Sequence, residues 1–149
     1  MTDKRVYTLA HNLVNYSCRV QPGQKVLIDT TSVDDMTVEA LIEAVYEAGG
    51  LPYVDNTRPC VQRALLNGIT KEQVDDLTKW DSERMRNMQA YIAIRGAENV
   101  NEQGDVPQDK KDMWQSIYSQ QVHSDLRVKN TKWVVLRYPN PSMAQLAGM

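Results

Sequence analysis

No apolar run in this sequence approaches the roughly 20 residues a helix needs to span a bilayer. The opening Met1-Thr2-Asp3-Lys4-Arg5 also lacks the apolar stretch of a secretory signal. Both absences argue against a membrane and point to the cytoplasm. Cysteine is scarce. Cys18 and Cys60 fall on two separate expected helices, with no CxxC and no metal-ligand spacing, so both are expected to be buried free thiols. His11 and His123 are the only imidazoles, and neither stands in an HExxH or HxH context. His11 reads as a surface or packing residue of its helix. His123, near a helix C-terminus, reads as a site where partial positive charge is favoured. Charge of one sign is missing too: 17 Lys and Arg against 19 Asp and Glu leave a net charge of −2 without any block of like charge. That excludes the footprint of a nucleic-acid or anionic-membrane binder. There is no GxSxG, no GxGxxG after a strand and no GxxxxGK, so nucleophile-elbow, dinucleotide and P-loop chemistry have no carrier. Phenylalanine is absent, which excludes nothing. The sequon Asn15-Tyr16-Ser17 falls inside an expected helix of a cytoplasmic chain and is discounted.

What is present is a globular composition, with 42% hydrophobic and 24% charged residues over 149 positions. That length suits one domain able to bury roughly 70% of the surface its unfolded chain exposes. The organising stretch is Met88 to Gly104. Ala90-Tyr91-Ile92-Ala93-Ile94 is apolar without interruption, the pattern of a strand covered on both faces, and a polar loop from Gly96 to Asp105 follows.

Around it the chain alternates. Val6, Leu9, Leu13, Tyr16 and Val20 give one apolar stripe on a helix from about Lys4 to Arg19, broken by Gln21-Pro22-Gly23-Gln24. Lys25 to Asp29 reads as a strand. Ser32 and Asp35 have the spacing of a capping box for a helix whose stripe is Val38, Leu41, Ile42 and Val45, closed at Gly49 or Gly50. Leu51 to Asp55 is a second strand, and Pro52 suits an edge or a strand start. A helix from Pro59 to Asn67 stops at Gly68. Thr70 and Gln73 form another capping box, before a stripe of Val74, Leu77, Trp80, Met85 and Met88. Asp105 and Pro107 read as cap and first turn of a helix with Met113 or Trp114, Ile117, Tyr118, Val122 and Leu126 inward. A last strand, Lys132 to Tyr138, ends at Pro139-Asn140-Pro141, and Ser142 caps a helix that barely begins. Crossovers too long for hairpins make this a small doubly wound α/β domain, a mainly parallel sheet of about four strands with helices on both faces.

Ligands in such folds bind beyond the carboxyl ends of the strands. Those ends are read as Asp29, Asp55, Arg95 and Arg137, a rim able to take a zwitterion or both ends of a peptide. The plainer alternative is a partly solvated salt-bridge network. A receiver-like Mg²⁺ site at Asp29 and Asp55 lacks a defined third ligand. Tyr138, before Pro139, is a candidate partner-facing residue.

Three stretches carry a resemblance: Leu13-Val14-Asn15-Tyr16-Ser17 leading into Val20-Gln21-Pro22-Gly23-Gln24-Lys25-Val26-Leu27-Ile28; Ala90 to Arg95; and Lys132-Trp133-Val134-Val135-Leu136-Arg137-Tyr138-Pro139 with Met143-Ala144-Gln145-Leu146-Ala147-Gly148-Met149. In that order they resemble the N-terminal part of the thermophilic metalloaminopeptidases, the family of aminopeptidase T, aminopeptidase S and the PepS-type enzymes. The resemblance implies a two-domain exopeptidase that removes N-terminal residues from peptides with two divalent metals, zinc or cobalt. It also implies that the Glu, His, Tyr and Asp ligands lie in a second, C-terminal domain, so no catalytic or metal residue maps onto this sequence. The chain is then expected to be the N-terminal domain, shaping dimer and substrate access, inert by itself, homodimeric and a fragment. The competing expectation is a stand-alone small-ligand-binding or dimerisation module built on the rim.

Overall fold

A computed structural model describes residues 4–96 and 104–137. The expected Pro139-Asn140-Pro141 stop, the Ser142 cap, Tyr138 and the stretch 143–149 lie outside the described residues, as do positions 97–103 of the polar loop. Among the described residues the order is α1 (Lys4–Asn12, continued by π-type turns over Leu13–Ser17), β1 (Lys25–Thr31), α2 (Asp35–Glu47), β2 (Leu51–Thr57), α3 (Pro59–Asn67), α4 (Lys71–Arg86), β3 (Ala90–Arg95), α5 (Gln108–Met113, continued by π-type turns over Trp114–Val128) and β4 (Lys132–Arg137). The strands form one parallel sheet in the order β2-β1-β3-β4. This is the small doubly wound α/β fold expected from the alternation.

The two-residue period of the strands sorts the core into layers. Val26 and Ile28 of β1 with Ala90, Ile92 and Ile94 of β3 pack against α1 and α2. Leu27, Tyr91 and Ala93 point the other way, onto Met85 and Met88 near the end of α4 and Val122 of α5. Every residue from Ala90 to Ile94 is therefore buried. A third cluster, Leu66, Ile69, Val74 and Val106, seals α3 to the starts of α4 and α5.

Several local signals act as read. Gly49 takes the left-handed conformation at φ +84 that closes α2. Thr70 and Gln73 make a full capping box, and β2, with Pro52, is an edge strand.

Other expectations are corrected. The α2 cap is Asp34, whose carboxylate accepts the Thr37 N–H at 3.3 Å and the Thr37 hydroxyl at 2.6 Å. Ser32 sits instead at φ +55 in the turn leaving β1. The N-cap of α5 is Pro107, and Asp105 lies 4.0 Å from Arg63. Tyr16 is 76% exposed and Val14 is buried in its place. The cause is the shift to i→i+5 bonding, seen in Cys18 N–H to Leu13 O at 3.0 Å, which rotates the last turn away from the 3.6-residue stripe. Trp80 is 60% exposed. The buried stripe of α4 runs through Val74, Thr78, Ser82 and Met85, two of which, Thr78 and Ser82, are small polar residues. Cys60 is exposed on α3, whereas Cys18 is buried as expected, and burial pushes its thiol up to about 11.

One ion pair ties α1 to α2. His11 Nε2 lies 2.6 Å from Glu47 Oε2 and Nδ1 lies 2.9 Å from Tyr7 O, so both nitrogens face acceptors and only the imidazolium donates to both. The Glu47 hydrogen bond raises the His11 pKa above 6.5, against the effect of burial. A raised folded-state pKa gives stability that is complete below the unfolded value and fades as pH rises through the folded one. Glu47 is 56% exposed, so the expected contribution is only about 0.5 kcal/mol. Chemical denaturation across pH 5 to pH 9 should show that decline in the native chain and lose it in His11→Gln. An unchanged profile in the variant would exclude the pair as its source.

Candidate functional site

The chain enters the sheet at β1, moves outward to β2, then crosses back to β3 and β4 on the other side. The connections therefore diverge between β1 and β3, the place where doubly wound sheets open a crevice at their carboxyl ends. At that point the two strand ends close tightly. Gly96 N–H donates to Thr31 O at 2.7 Å, and a Cβ on Gly96 would lie 2.3 Å from Ser32 O. Only glycine fits there.

A cleft of about 790 Å³ lies on the α4–α5 side of these ends, within the volume range of small-molecule sites. Strand register explains its floor. Asp29 sits beside Asp55, and one pleat further on Thr31 sits between Thr57 and Arg95. β1 and β2 run to Thr31 and Thr57, so the two carboxylates lie two residues before the strand ends, facing the same way as those ends. Asp29, Asp55 and Arg95 line the cleft; Arg137, next to Arg95 in register, is not among the lining residues.

The partners of the carboxylates are not the strand-end arginines. Arg84 of α4 grips Asp55 with two nitrogens, one at 2.9 Å, and that bond raises the arginine's pKa. Asp29 accepts the Tyr91 hydroxyl at 2.6 Å and lies 3.8 Å from Arg127, whose guanidinium carbon stands 4.6 Å from the centre of the Tyr91 ring. Asp81 accepts the Tyr118 hydroxyl. Burial, followed by the neighbouring Asp29 for Tyr91 and the Asp81 bond for Tyr118, raises both phenols well above the usual range. Arg84 and Arg127 escaped the sequence reading, and Tyr118 and His123 were read there only as an inward-facing and a helix-end residue, because nothing local marks them for the site. Each arrives from a helix packed on the sheet.

His123 also lines the cleft, edge-on to Tyr91 at 6.1 Å between ring centres. Its pKa is lowered, first by burial and then by Arg127 and Arg95, so the neutral ring is favoured. This corrects the expectation of a partly charged imidazole: packing α5 over β3 buries part of the ring and brings the charges of Arg127 and Arg95 to bear on it.

The arrangement defines a class, a doubly wound α/β domain with a polar cleft at its topological switch point. The model of the thermophilic metalloprotease (M29) family matches residues 2–147, and the chain belongs to that family. Wild-type AmpT from Thermus thermophilus shares the fold, with a TM-score of 0.71 at 18% identity over 95% of this chain. The match spans 38% of the AmpT chain, well under its full length. CurK enoyl reductase (TM-score 0.38, 11% identity, 95% of this chain and 44% of that one) is too distant to carry an argument. The same holds for the A-PCP didomain of carboxylic acid reductase from Segniliparus rugosus in complex with AMP (0.35, 10%, 89% and 18%). No curated protein matches in sequence.

A metalloprotease family implies metal. Among the described residues no three His, Cys, Asp or Glu side chains form a group that could hold a metal ion, and the candidate donors are committed elsewhere: Asp29 to Tyr91 and Arg127, Asp55 to Arg84, His11 to Glu47. These residues do not fit a two-metal centre, which needs several fixed N and O ligands. No helix among them is long and apolar enough to cross a membrane.

Proposed function

We propose that this chain is the N-terminal domain of a cytoplasmic, metal-dependent aminopeptidase, shaping peptide access and dimer contacts rather than performing hydrolysis. The reading rests on the family match over residues 2–147. The share of AmpT that the fold spans, 38%, is consistent with a further domain supplying the ligands for two divalent metals, zinc or cobalt. The β2 edge supports a partner surface, since Leu51, Tyr53 and Val54 leave apolar side chains exposed beside unpaired strand edge groups. What these residues contribute to peptide trimming is then position and enclosure.

Two measurements test this. The purified chain, given zinc or cobalt and leucyl-p-nitroanilide, is expected to release no p-nitroaniline and to bind no stoichiometric metal pair. Tight binding of two zinc ions with turnover would overturn the assignment of the ligands to another domain. Reading the source gene beyond the codon for Met149 is expected to show an open frame with spaced Glu and His codons; an immediate stop would defeat the two-domain reading.

A further inference from the structure

In the cleft beside the β1–β3 switch point, the carboxylates are satisfied while several donors are not. Asp55 holds both terminal nitrogens of Arg84, and Asp29 has the Tyr91 hydroxyl and Arg127. Arg127 is only 6% exposed, yet its Nε has no hydrogen-bond partner and its ion pair at 3.8 Å is longer than a hydrogen bond. Arg95, on the same face of β3 as Tyr91, has no ion pair or side-chain hydrogen bond among the described residues. His123 Nδ1 is buried without a partner. For Arg127 and His123 such burial is costly unless something binds them, while Arg95 is exposed and free to turn toward a ligand. Arg127 and Arg95 both line the cleft, and the guanidinium carbon of Arg127 stands 4.6 Å from the centre of the Tyr91 ring.

The same cleft also carries an apolar lining. Trp114 stacks on Tyr118 with ring centres 4.1 Å apart, and Leu65 and Leu77 extend that surface. We propose that the cleft binds a carboxylate carried on an apolar body, such as the C-terminal end of a peptide with an apolar last residue. Arg95 and Arg127 receive the carboxylate, and the Trp114 surface receives the side chain. Guanidinium groups suit a planar carboxylate. A doubly charged phosphate is disfavoured, because Asp29, Asp55 and Asp81 line the same cleft. This replaces the zwitterion read from the strand ends: with both aspartates already paired, the cleft has donors to offer and few acceptors. The inference stands on the cleft alone and does not depend on the peptidase reading.

Isothermal titration of the 149-residue chain with N-acetyl-phenylalanine and with its uncharged amide tests it. The acid is expected to bind saturably, with the amide about tenfold weaker, the value of one charge-assisted hydrogen bond. Arg95→Gln should cost a similar factor with an unchanged melting curve. The His123 ring, followed by NMR, should titrate at higher pH in the complex, because the bound carboxylate offsets both arginines. Absence of binding, equal affinity for acid and amide, or an unchanged Kd in Arg95→Gln would each overturn the proposal. So would displacement of the acid by inorganic phosphate at lower concentration, which would mark a phosphate site instead.

Discussion

Asp29→Asn is expected to destabilise the domain by about 3 kcal/mol, lowering Tm by about 6–12 °C. The substitution keeps the volume and leaves an oxygen to accept the Tyr91 hydroxyl, so packing is not the cause. What it removes is the only carboxylate that ion-pairs with Arg127 among the described residues, at 3.8 Å. Arg127 is then left 6% exposed with little but the face of Tyr91 to offset its charge. Removing one member of a buried pair typically costs about 3–5 kcal/mol, and the 20% exposure of the Asp29 side chain places this case at the low end. Arg127→Met in the same background should restore most of the loss, because the charge that lacked a partner is gone. Denaturant unfolding of the two single variants and the double variant gives the coupling directly. Additive losses would show that Asp29 and Arg127 stabilise the fold independently, contrary to this account.

The largest purely structural effect is expected at Ile92, in the centre of β3. Ile92 is fully buried and pairs with Ile28 on one side and Val134 on the other. Ile92→Ala should cost about 3–4 kcal/mol, the transfer term plus the cavity left in a layer held by α1 and α2. Trp80→Ala removes a larger side chain but one that is 60% exposed, and should cost under about 1 kcal/mol. Thermal unfolding of the two variants side by side separates hydrophobicity from burial. If Trp80→Ala were the more damaging, α4 would have to turn a different face to the sheet.

The stretches that resemble the metalloaminopeptidases were enough to point to the family, while the chemistry of the cleft was legible only in part. Asp29, Asp55 and Arg95 were identifiable as residues near strand ends, because short apolar runs end visibly in charge. Their partners were not. Asp55 meets Arg84, 29 positions away, and Asp29 meets Tyr91, 62 positions away. Such pairings depend on how α4 and α5 dock, and a docking angle leaves no trace in any one segment.

The sequence by itself determined the alternation of helix and strand, the covered central strand at Ala90 to Ile94, the α3 bounds from Pro59 to Asn67, the Thr70 cap and the left-handed Gly49. Each follows from interactions within a few residues: side-chain period, capping geometry, the fixed φ of proline and the freedom of glycine. Tertiary structure decided that Tyr16 and Trp80 face outward, that Asp34 rather than Ser32 caps α2, and that burial and two arginines lower the pKa of His123. Burial, pKa and ion pairing depend on which distant surface covers a residue, and only the packed sheet and its helices supply that surface.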